Sequence, residues 1–490
     1  MKSPRARSTN ISNSTEAAPP GVPAPGDDIA FLTAGDLQRL YRSRALSPVE
    51  VAEALLARID HFRPLNAFVH LDPPATLAMA RAAESRWRSG DPLGPLDGAP
   101  ATIKDLLAVA GWPLTRGSPA LVGDPAPSED APAVARLREA GAVFLGKTAT
   151  PDAGSRIVTR SLVHGVTLNP YDLSRTPGGS SGGAAAALAV GLGAVAIGTD
   201  GAGSIRIPAA WTGTFGLKPS FGRVPAVPPS LFAPHSVSGP MARTVADATA
   251  LLSVLSRPEP RDPFALTVPF DPGEAGRGAL AGLRVGVTTD FGVASPSIDP
   301  DAAAAVRAAA NILEAAGADV REVAPTWPCP PLDSFLVLWE ATYAGFLDTS
   351  YTPEKAARMD PHLLAIAARG RGIDMATYHR ALAQRGALTA AARRLFLDID
   401  LLVGPVMPCP PPLAAEDAPE GCTPGDWSWC PFTYLWNMTG QPAASAPMGL
   451  DRGGLPVGVQ IVGWIGQEAK VLAAASALEA ATPPSRPRGL

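Results

Sequence analysis

Apolar residues repeat at helical spacing in the segment that follows Ser47. Ser47–Glu50 reads Ser-Pro-Val-Glu, which is a capping box with proline at the first helical position. Val51, Leu55 and Ile59 then recur every four residues, so they share one face. The pattern predicts an amphipathic helix that begins at Pro48.

A strand–helix–strand pattern follows later in the chain. Leu283–Val287 reads as a buried strand, Pro300–Ala316 as an alanine-rich helix ended by Gly317, and Val320–Val323 as a second strand. Strands that alternate with helices are typical of the α/β class, which we therefore predict for the fold. The remaining predicted elements are a helix over 131–140, strands at Val143–Leu145 and Leu401–Val403, and a closing helix at Leu472–Ala480.

One uncharged stretch, Thr176–Thr199, has a composition that could suggest a membrane span. It is rich in glycine and alanine, and Gly191 and Gly193 divide it into two short apolar runs. A spanning helix needs about 20 strongly apolar residues. We therefore predict a buried helix followed by a buried strand.

Composition narrows the function classes. The 41 basic and 45 acidic residues form no basic block, so we expect no nucleic-acid partner. The first 28 residues lack the apolar core of a signal peptide, and we predict a disordered tail over 1–28, one domain over 29–485, no membrane partner and a cytoplasmic location. The Pro- and Gly-rich segment 256–280 is either a long surface loop or a linker. The four cysteines form no CxxC pair, which argues against a metal site.

Two glycine motifs resemble nucleotide-binding loops. Gly141–Thr148 fits the Walker A pattern, but its four intervening residues are strand-like and Pro151 follows closely. Gly191–Ala196 fits a dinucleotide fingerprint only loosely and follows a predicted helix instead of a strand. Nucleotide binding through Gly141–Thr148 is therefore kept only as an alternative hypothesis.

Two other glycine-rich patches are better candidates for chemistry. Gly178–Gly182 has two serines between glycines; either serine could cap the following helix, but the flanking glycines indicate close backbone packing. Gly198–Arg206 follows a predicted strand and carries Ser204 after a run of small residues. Free backbone N–H groups in such a run can converge on an anion, so Ser204 is a candidate nucleophile beside an oxyanion hole.

A nucleophilic serine needs a base, and neither patch contains a histidine. Lys104 ends the run Ala99–Ile103 and is followed by apolar residues, so we predict that its side chain is buried. Burial disfavours an ammonium ion and lowers the pKa of the amine, which can then accept a proton. The alternative is a surface Lys104 paired with Asp105.

Together these motifs resemble those of the amidase signature family, over roughly residues 30–480. The resemblance implies a single α/β/α domain with a large mixed β-sheet flanked by helices, no cofactor and no metal. The matching segments are TPGGSSGG (Thr176–Gly183), GTDGAGSIR (Gly198–Arg206), FGLKPS (Phe215–Ser220), APATIKD (Ala99–Asp105), GKTATP (Gly146–Pro151), NMTG (Asn437–Gly440) and Gln460.

The resemblance also implies roles for individual residues. Ser204 would be the nucleophile, Ser180 the bridging serine with a cis peptide, and Lys104 the base. The backbone N–H groups of Gly201, Ala202 and Gly203 would form the oxyanion hole. Behind these groups, the supporting residues would be Ser181, Asp200 and Arg206. Asp152 stands where many members have a glutamate, one methylene longer, in a loop that lies near the substrate in the family.

The expected activity is hydrolysis of aryl or apolar amides by a monomer or homodimer acting on small molecules, with esters and carbamates (urethanes) as secondary substrates. The pocket candidates are Gly154, Ser155, Ile157, Trp339, Tyr343 and Trp436. The main alternative is the glutaminase subunit of a tRNA-dependent amidotransferase, which shares the signature.

Overall fold

The computed structural model of the chain describes residues 27–273, 280–293, 297–423 and 425–487. Most of the predicted tail, and residues 274–279 of the predicted loop or linker, lie outside the described residues. The first helix begins at Asp27, slightly before the predicted start of the domain at Ile29. No helix in the described ranges is long and apolar enough to cross a bilayer.

The strands in the described residues are β1 Phe68–His70, β2 Pro100–Lys104, β3 Val143–Thr148, β4 Arg160–Ser161, β5 Gly165–Val166, β6 Val195–Asp200, β7 Phe215–Lys218, β8 Val237–Ala242, β9 Arg284–Val287, β10 Asp319–Glu322, β11 Leu401–Pro405, β12 Ala443–Leu450 and β13 Pro456–Gly463. Eleven of them form one mixed sheet, and β4 and β5 pair separately as a hairpin. The spatial order of the large sheet is β1-β3-β2-β6-β8-β7-β12-β13-β11-β9-β10.

Helices cover both faces of this sheet, as predicted for an α/β/α domain. The α-helices are α1 Asp27–Ala30, α2 Ala34–Ser43, α3 Pro48–His61, α4 Pro73–Ser89, α5 Pro132–Glu139, α6 Gly182–Ala189, α7 Arg206–Thr212, α8 Val245–Leu255, α9 Pro300–Ala315, α10 Pro331–Ser350, α11 Pro353–Ala356, α12 Pro361–Arg371, α13 Met375–Asp398, α14 Tyr434–Met438 and α15 Glu468–Ala481.

Side chains along β6 alternate between the two faces of the large sheet and show what covers each face. Val195 and Ile197 face a core layer built by α5, α8, α9 and α15, whereas Ala196 packs against α6 and Ile205. Successive side chains of a strand point to opposite faces, so a fully apolar strand must be covered on both. Every residue of α6 is buried, which explains why Thr176–Thr199 carries no charge and confirms the predicted buried helix and strand.

The local signals predicted element types well. Ser47 and Glu50 form the predicted capping box, and α3 begins at Pro48. The strand–helix–strand unit is observed as β9, α9 and β10, with β9 and β10 parallel. Strand β3 extends to Thr148, three residues beyond the prediction, because Gly146–Thr148 continue the pairing with β2.

Sheet topology sets the position of the candidate site. Strands β2 and β6 are parallel neighbours, with Ile103 opposite Ile197. Their carboxyl ends therefore meet at one edge of the sheet, where Lys104 ends β2 and Asp200 ends β6. This edge is the usual place for a ligand site in an α/β sheet.

Candidate active site

Lys104 is fully buried at the end of β2, as predicted. Its Nζ atom lies 2.7 Å from Ser180 Oγ and 2.9 Å from both Ser181 Oγ and Thr199 Oγ1. Burial lowers the pKa of this amine well below its ordinary value, and the negative charge of Asp200 opposes that shift only in part. The alternative of a surface Lys104 paired with Asp105 is wrong.

The serine pair sits in a loop pressed against its neighbours. The Gly179–Ser180 peptide is cis, and a Cβ on Gly179 would lie 2.8 Å from the backbone carbon of Val158. Glycine is therefore required by close backbone approach, as the motif indicated. Neither serine side chain caps α6: Ser181, its N-cap residue, makes no capping bond and instead accepts a hydrogen bond from Thr199 N.

Ser204 lies in the turn between β6 and α7. Its carbonyl oxygen accepts a hydrogen bond from Ser181 N at 3.0 Å, which joins the two glycine-rich patches. Ser180 and Ser204 are 2% and 5% exposed. In the described part of the chain, Ser204 Oγ has no hydrogen-bond partner.

Asp200 organises the turn that carries Ser204. Its carboxylate accepts hydrogen bonds from Gly203 N at 2.7 Å and Ile205 N at 3.1 Å, and from two guanidinium nitrogens of Arg206 at 2.9 Å. Burial alone would raise the pKa of Asp200, but the charge and hydrogen bonds of Arg206 outweigh it and lower the pKa. The carboxylate therefore stays ionised and holds the loop rigid.

The hydrogen bonds to Asp200 change which backbone N–H groups are available for the expected oxyanion hole. The N–H group of Gly203 is already donated to Asp200. Among the described residues, no protein acceptor takes the N–H groups of Gly201, Ala202 or Ser204. The available donors at this turn are thus Gly201, Ala202 and Ser204.

Two threonines at the site were not singled out in the sequence. Thr199 is a direct hydrogen-bond partner of Lys104. It lies in the patch Gly198–Arg206, where nothing in the sequence pattern sets it apart. Thr433 donates from Oγ1 to Ala202 O at 2.6 Å across a separation of 231 residues. No sequence signal relates Thr433 to the loop. Asn437 and Gln460 lie in segments that match the family motifs, and both accept hydrogen bonds from Arg206.

Most of the predicted pocket residues come together beside the serines. A Cβ on Gly154 would lie 3.2 Å from Ser180 Oγ, and one on Gly201 would lie 3.4 Å from the ring of Trp339. Tyr343 donates from its hydroxyl to Ala153 O at 3.2 Å, which fixes the loop that carries Gly154 and Ser155.

Ile157 is buried in the same apolar cluster as Ala202, Trp339 and Tyr343. Trp436 differs from these residues, because it is fully buried with its ring against Phe291 and Trp327. These ring contacts place Trp436 in the core of the aromatic cluster.

Asp152 lies in the same loop as Gly154 and is 1% exposed. Its Oδ2 atom accepts hydrogen bonds from Ser118 Oγ at 3.0 Å and Asp360 N at 2.9 Å, while Oδ1 has no partner among the described residues. Burial raises the pKa of this carboxyl to about 6, although the two hydrogen bonds oppose the shift.

The Walker-like motif has a different explanation. Lys147 is fully buried in β3, 2.5 Å from Asp105 Oδ1, and it donates to Pro113 O at 2.8 Å. Phosphate binding by a Walker loop needs a glycine-rich turn followed by a helix. Residues 143–148 are a strand instead, so the nucleotide-binding hypothesis is wrong in its structural premise.

A model of the Amidase family matches residues 50–472 of the chain. The chain is 36% identical over 469 residues to an acylamidase of Rhodococcus erythropolis, with 93% of this chain and 96% of that protein covered. It is 34% identical over 487 residues to a subunit of the glutamyl-tRNA(Gln) amidotransferase of Chloroflexus aggregans, with 93% and 97% covered. A crystal structure of a bacterial aryl acylamidase of the amidase signature family resembles it with a TM-score of 0.85 at 32% identity, over 93% of this chain and 97% of that one.

The family match spans the whole sheet and both glycine-rich patches. The resemblance noted in the sequence motifs is thereby confirmed, together with the fold that it implied. The chain belongs to the amidase signature family and is an amide-hydrolysing enzyme.

Proposed function

We propose that this enzyme hydrolyses aryl or apolar amides through an acyl-enzyme on Ser204. The observation that carries the proposal is the buried amine of Lys104, 2.7 Å from Ser180 Oγ. A desolvated amine with a lowered pKa is neutral enough to act as a base. It takes the place that histidine has in other serine hydrolases.

In the proposed reaction, which requires the Ser204 hydroxyl to turn towards Ser180 Oγ, neutral Lys104 accepts the proton of Ser180, and Ser180 accepts the proton of Ser204. Ser204 Oγ then attacks the amide carbon, and the carbonyl oxygen becomes an oxyanion. The free N–H groups of Gly201, Ala202 and Ser204 would stabilise that oxyanion; Gly203 is left out, because its N–H is donated to Asp200.

The proton then returns along the same path to the leaving nitrogen as the C–N bond breaks, and the amine departs. Water attacks the acyl group on Ser204, losing a proton to the same relay. The acid is released and the Ser204 hydroxyl is restored. The relay takes one proton from Ser204 and delivers it to the leaving nitrogen, then takes one from water and returns it to Ser204, so the enzyme ends each cycle in its starting protonation state.

The wall beside Gly201–Ser204, called here the oxyanion turn, supports the proposed substrate class. Trp339 borders Gly201, and its ring packs edge-on against Tyr343 at a centroid distance of 5.0 Å. Such a wall favours an aryl or long apolar group over a small polar one. The solved relative described as an aryl acylamidase supports this assignment. Esters and carbamates present the same carbonyl and are expected as secondary substrates.

A second candidate function is the glutaminase subunit of a tRNA-dependent amidotransferase. The 34% identity to a glutamyl-tRNA(Gln) amidotransferase subunit over 93% of this chain favours it. In that case the single chain would prefer glutamine over anilides, and its activity would depend on partner subunits.

The test compares purified chain with Ser204→Ala on p-nitroanilides, aryl amides, esters, aryl carbamates and free glutamine. Ser85→Ala, on the exposed side of α4, is the matched control. We expect the single chain to cleave anilides, Ser204→Ala to lose this activity and the control to keep it. Cleavage of glutamine alone would favour the amidotransferase function, and full activity in Ser204→Ala would refute the assigned nucleophile.

A further inference from the structure

A row of aromatic rings leads outward from the oxyanion turn along α10. We call Trp339, Tyr343, Phe346 and Tyr351 the α10 row. Successive ring centroids are 5.0, 6.4 and 5.3 Å apart. Trp339 and Tyr343 are at most 4% exposed, whereas Phe346 and Tyr351 are half-buried. The row therefore runs from the buried serine loops towards solvent.

Arg116 stands at the outer end of this row. Its Nη1 atom donates to the hydroxyl of Tyr351 at 3.4 Å, and its side chain is half-buried. In the described ranges, no carboxylate lies within 4 Å of its guanidinium group. Arg116 thus presents a positive charge without a protein counter-ion.

The charged groups near Arg116 are already engaged elsewhere. Lys147 is paired with Asp105 at 2.5 Å, and Lys355 with Asp124 at 2.5 Å. Asp152 accepts its hydrogen bonds from Ser118 Oγ and Asp360 N. None of these carboxylates neutralises the guanidinium, so its environment favours an anion supplied from outside the chain.

The backbone holds Arg116 against the loop that borders Ser180. Arg116 has φ 52°, a left-handed conformation that is uncommon for residues other than glycine. Its carbonyl oxygen accepts a hydrogen bond from Ala153 N at 2.9 Å. A Cβ on the next residue, Gly117, would lie 2.4 Å from Thr150 O. The backbone of Gly117 is therefore packed tightly against Thr150, which limits movement of the turn that contains Arg116. A strained residue held so firmly is typical of a functional position.

We propose that Arg116 binds a carboxylate group of the substrate, and that the enzyme acts on aryl or apolar amides that end in a carboxylate. The planar guanidinium matches a carboxylate with two parallel hydrogen bonds. The α10 row contacts the apolar part between the scissile amide and this anion. The centroid distances of 6.4 Å from Tyr343 to Phe346 and 5.3 Å from Phe346 to Tyr351 indicate the length of that part. This inference rests on the proposed amidase function.

The test uses two matched series of substrates. One pairs p-nitroanilides of dicarboxylic acids with those of monocarboxylic acids of equal chain length. The other pairs amides of long-chain ω-amino acids with amides of n-alkylamines of equal chain length, so that the carboxylate can reach the outer end of the α10 row. The variants are Arg116→Gln and Arg116→Lys, with Arg358→Gln as the control, an exposed arginine that donates to Pro119 O on the same side of the molecule.

We expect wild type to prefer the carboxylate member of one series. Arg116→Gln should lower kcat/KM for the carboxylate substrate by about tenfold or more, because a charged hydrogen bond is lost. The value of kcat/KM for the neutral substrate should stay within about twofold of wild type. Arg116→Lys should keep part of the preference for the carboxylate substrate, and Arg358→Gln should keep all of it. An unchanged ratio of carboxylate to neutral substrate in Arg116→Gln, in both series, would overturn the proposal.

Binding separates this inference from the proposed chemistry. The same pairs are titrated calorimetrically into Ser204→Ala, with and without Arg116→Gln. If carboxylate-selective binding depends on Arg116 while no anilide is ever cleaved, the amidase proposal fails and the anion site stands. If anilides are cleaved without any contribution from Arg116, the anion site fails and the amidase proposal stands.

Discussion

The amine of Lys104 and the hydroxyl of Ser180 lie 2.7 Å apart in a site that is almost closed to solvent. Because water cannot stabilise an ammonium ion there, the free amine is favoured at this position. The same closure strengthens every hydrogen bond around this amine. The chemistry proposed for the enzyme depends on both effects.

Replacing Lys104 with methionine should therefore abolish most of the activity. Methionine fills similar space but cannot accept a proton, and a general base contributes about 100-fold to 10,000-fold. We expect kcat on the best anilide to fall by about that factor with little change in KM. Lys470→Met, which removes the surface ion pair with Asp400, should leave kcat unchanged. A fully active Lys104→Met enzyme with a normal melting curve would exclude Lys104 as the base.

The pH dependence of kcat/KM should reflect the protonation state of Lys104. Only neutral Lys104 can start the relay, so kcat/KM should rise with pH through the pKa of Lys104 in the free enzyme. Burial places that inflection well below the ordinary lysine value. Initial rates across a buffered pH series measure it. A rising limb centred at the pKa of an exposed lysine would contradict a desolvated base.

Thr433→Val should damage both the site and the fold. The change removes the hydroxyl that donates to Ala202 O at 2.6 Å and leaves that carbonyl oxygen buried without its partner. Such a loss costs about 1–3 kcal/mol and releases the oxyanion turn. We expect a lower Tm and a lower kcat, measured by thermal unfolding and by steady-state kinetics. Thr433→Ser, which keeps the hydroxyl, should recover most of both.

Asp152→Asn should change how stability depends on pH. The pKa of Asp152 is raised to about 6 in the folded protein, so between the unfolded value and that pKa the folded state binds more protons. The free energy of unfolding of wild type should thus fall, by about 1–3 kcal/mol, as pH rises from about 4 to about 6.

The asparagine variant should lack this component, and urea unfolding at several pH values measures the difference. Asp247, whose pKa is also raised to about 6, titrates in both proteins and cancels in the comparison. Parallel pH profiles for wild type and variant would show that Asp152 does not titrate as a buried carboxyl.

Lys147→Met should destabilise the protein because Asp105 is then buried without its partner at 2.5 Å. Removing one member of a buried ion pair costs about 3–5 kcal/mol. We expect the double variant Lys147→Met, Asp105→Asn to recover part of that loss in urea unfolding. An undiminished stability in Lys147→Met, or a rise in Tm on adding ATP to wild type, would contradict a purely structural role.

Local patterns were sufficient where short-range forces decide the structure. The capping box at Ser47 and Glu50 is closed by hydrogen bonds within four residues, so composition and spacing predict it. The buried helix and strand within Thr176–Thr199 were predictable from their lack of charge. The close packing of Gly179 was predictable as a requirement for glycine, but its partner, Val158, was not.

The sequence alone determined the α/β class and the family resemblance, and it singled out Lys104, Ser180 and Ser204 as candidates, because these inferences depend on residue types at short spacing. Only the tertiary structure decided which groups meet. Strand order brought Thr199 to Lys104, and contacts across more than 230 residues brought Thr433 to Ala202 and Arg116 to Tyr351. The donation of Gly203 N to Asp200 also became visible only there. Such contacts depend on the packing of the whole chain, which no local periodicity encodes.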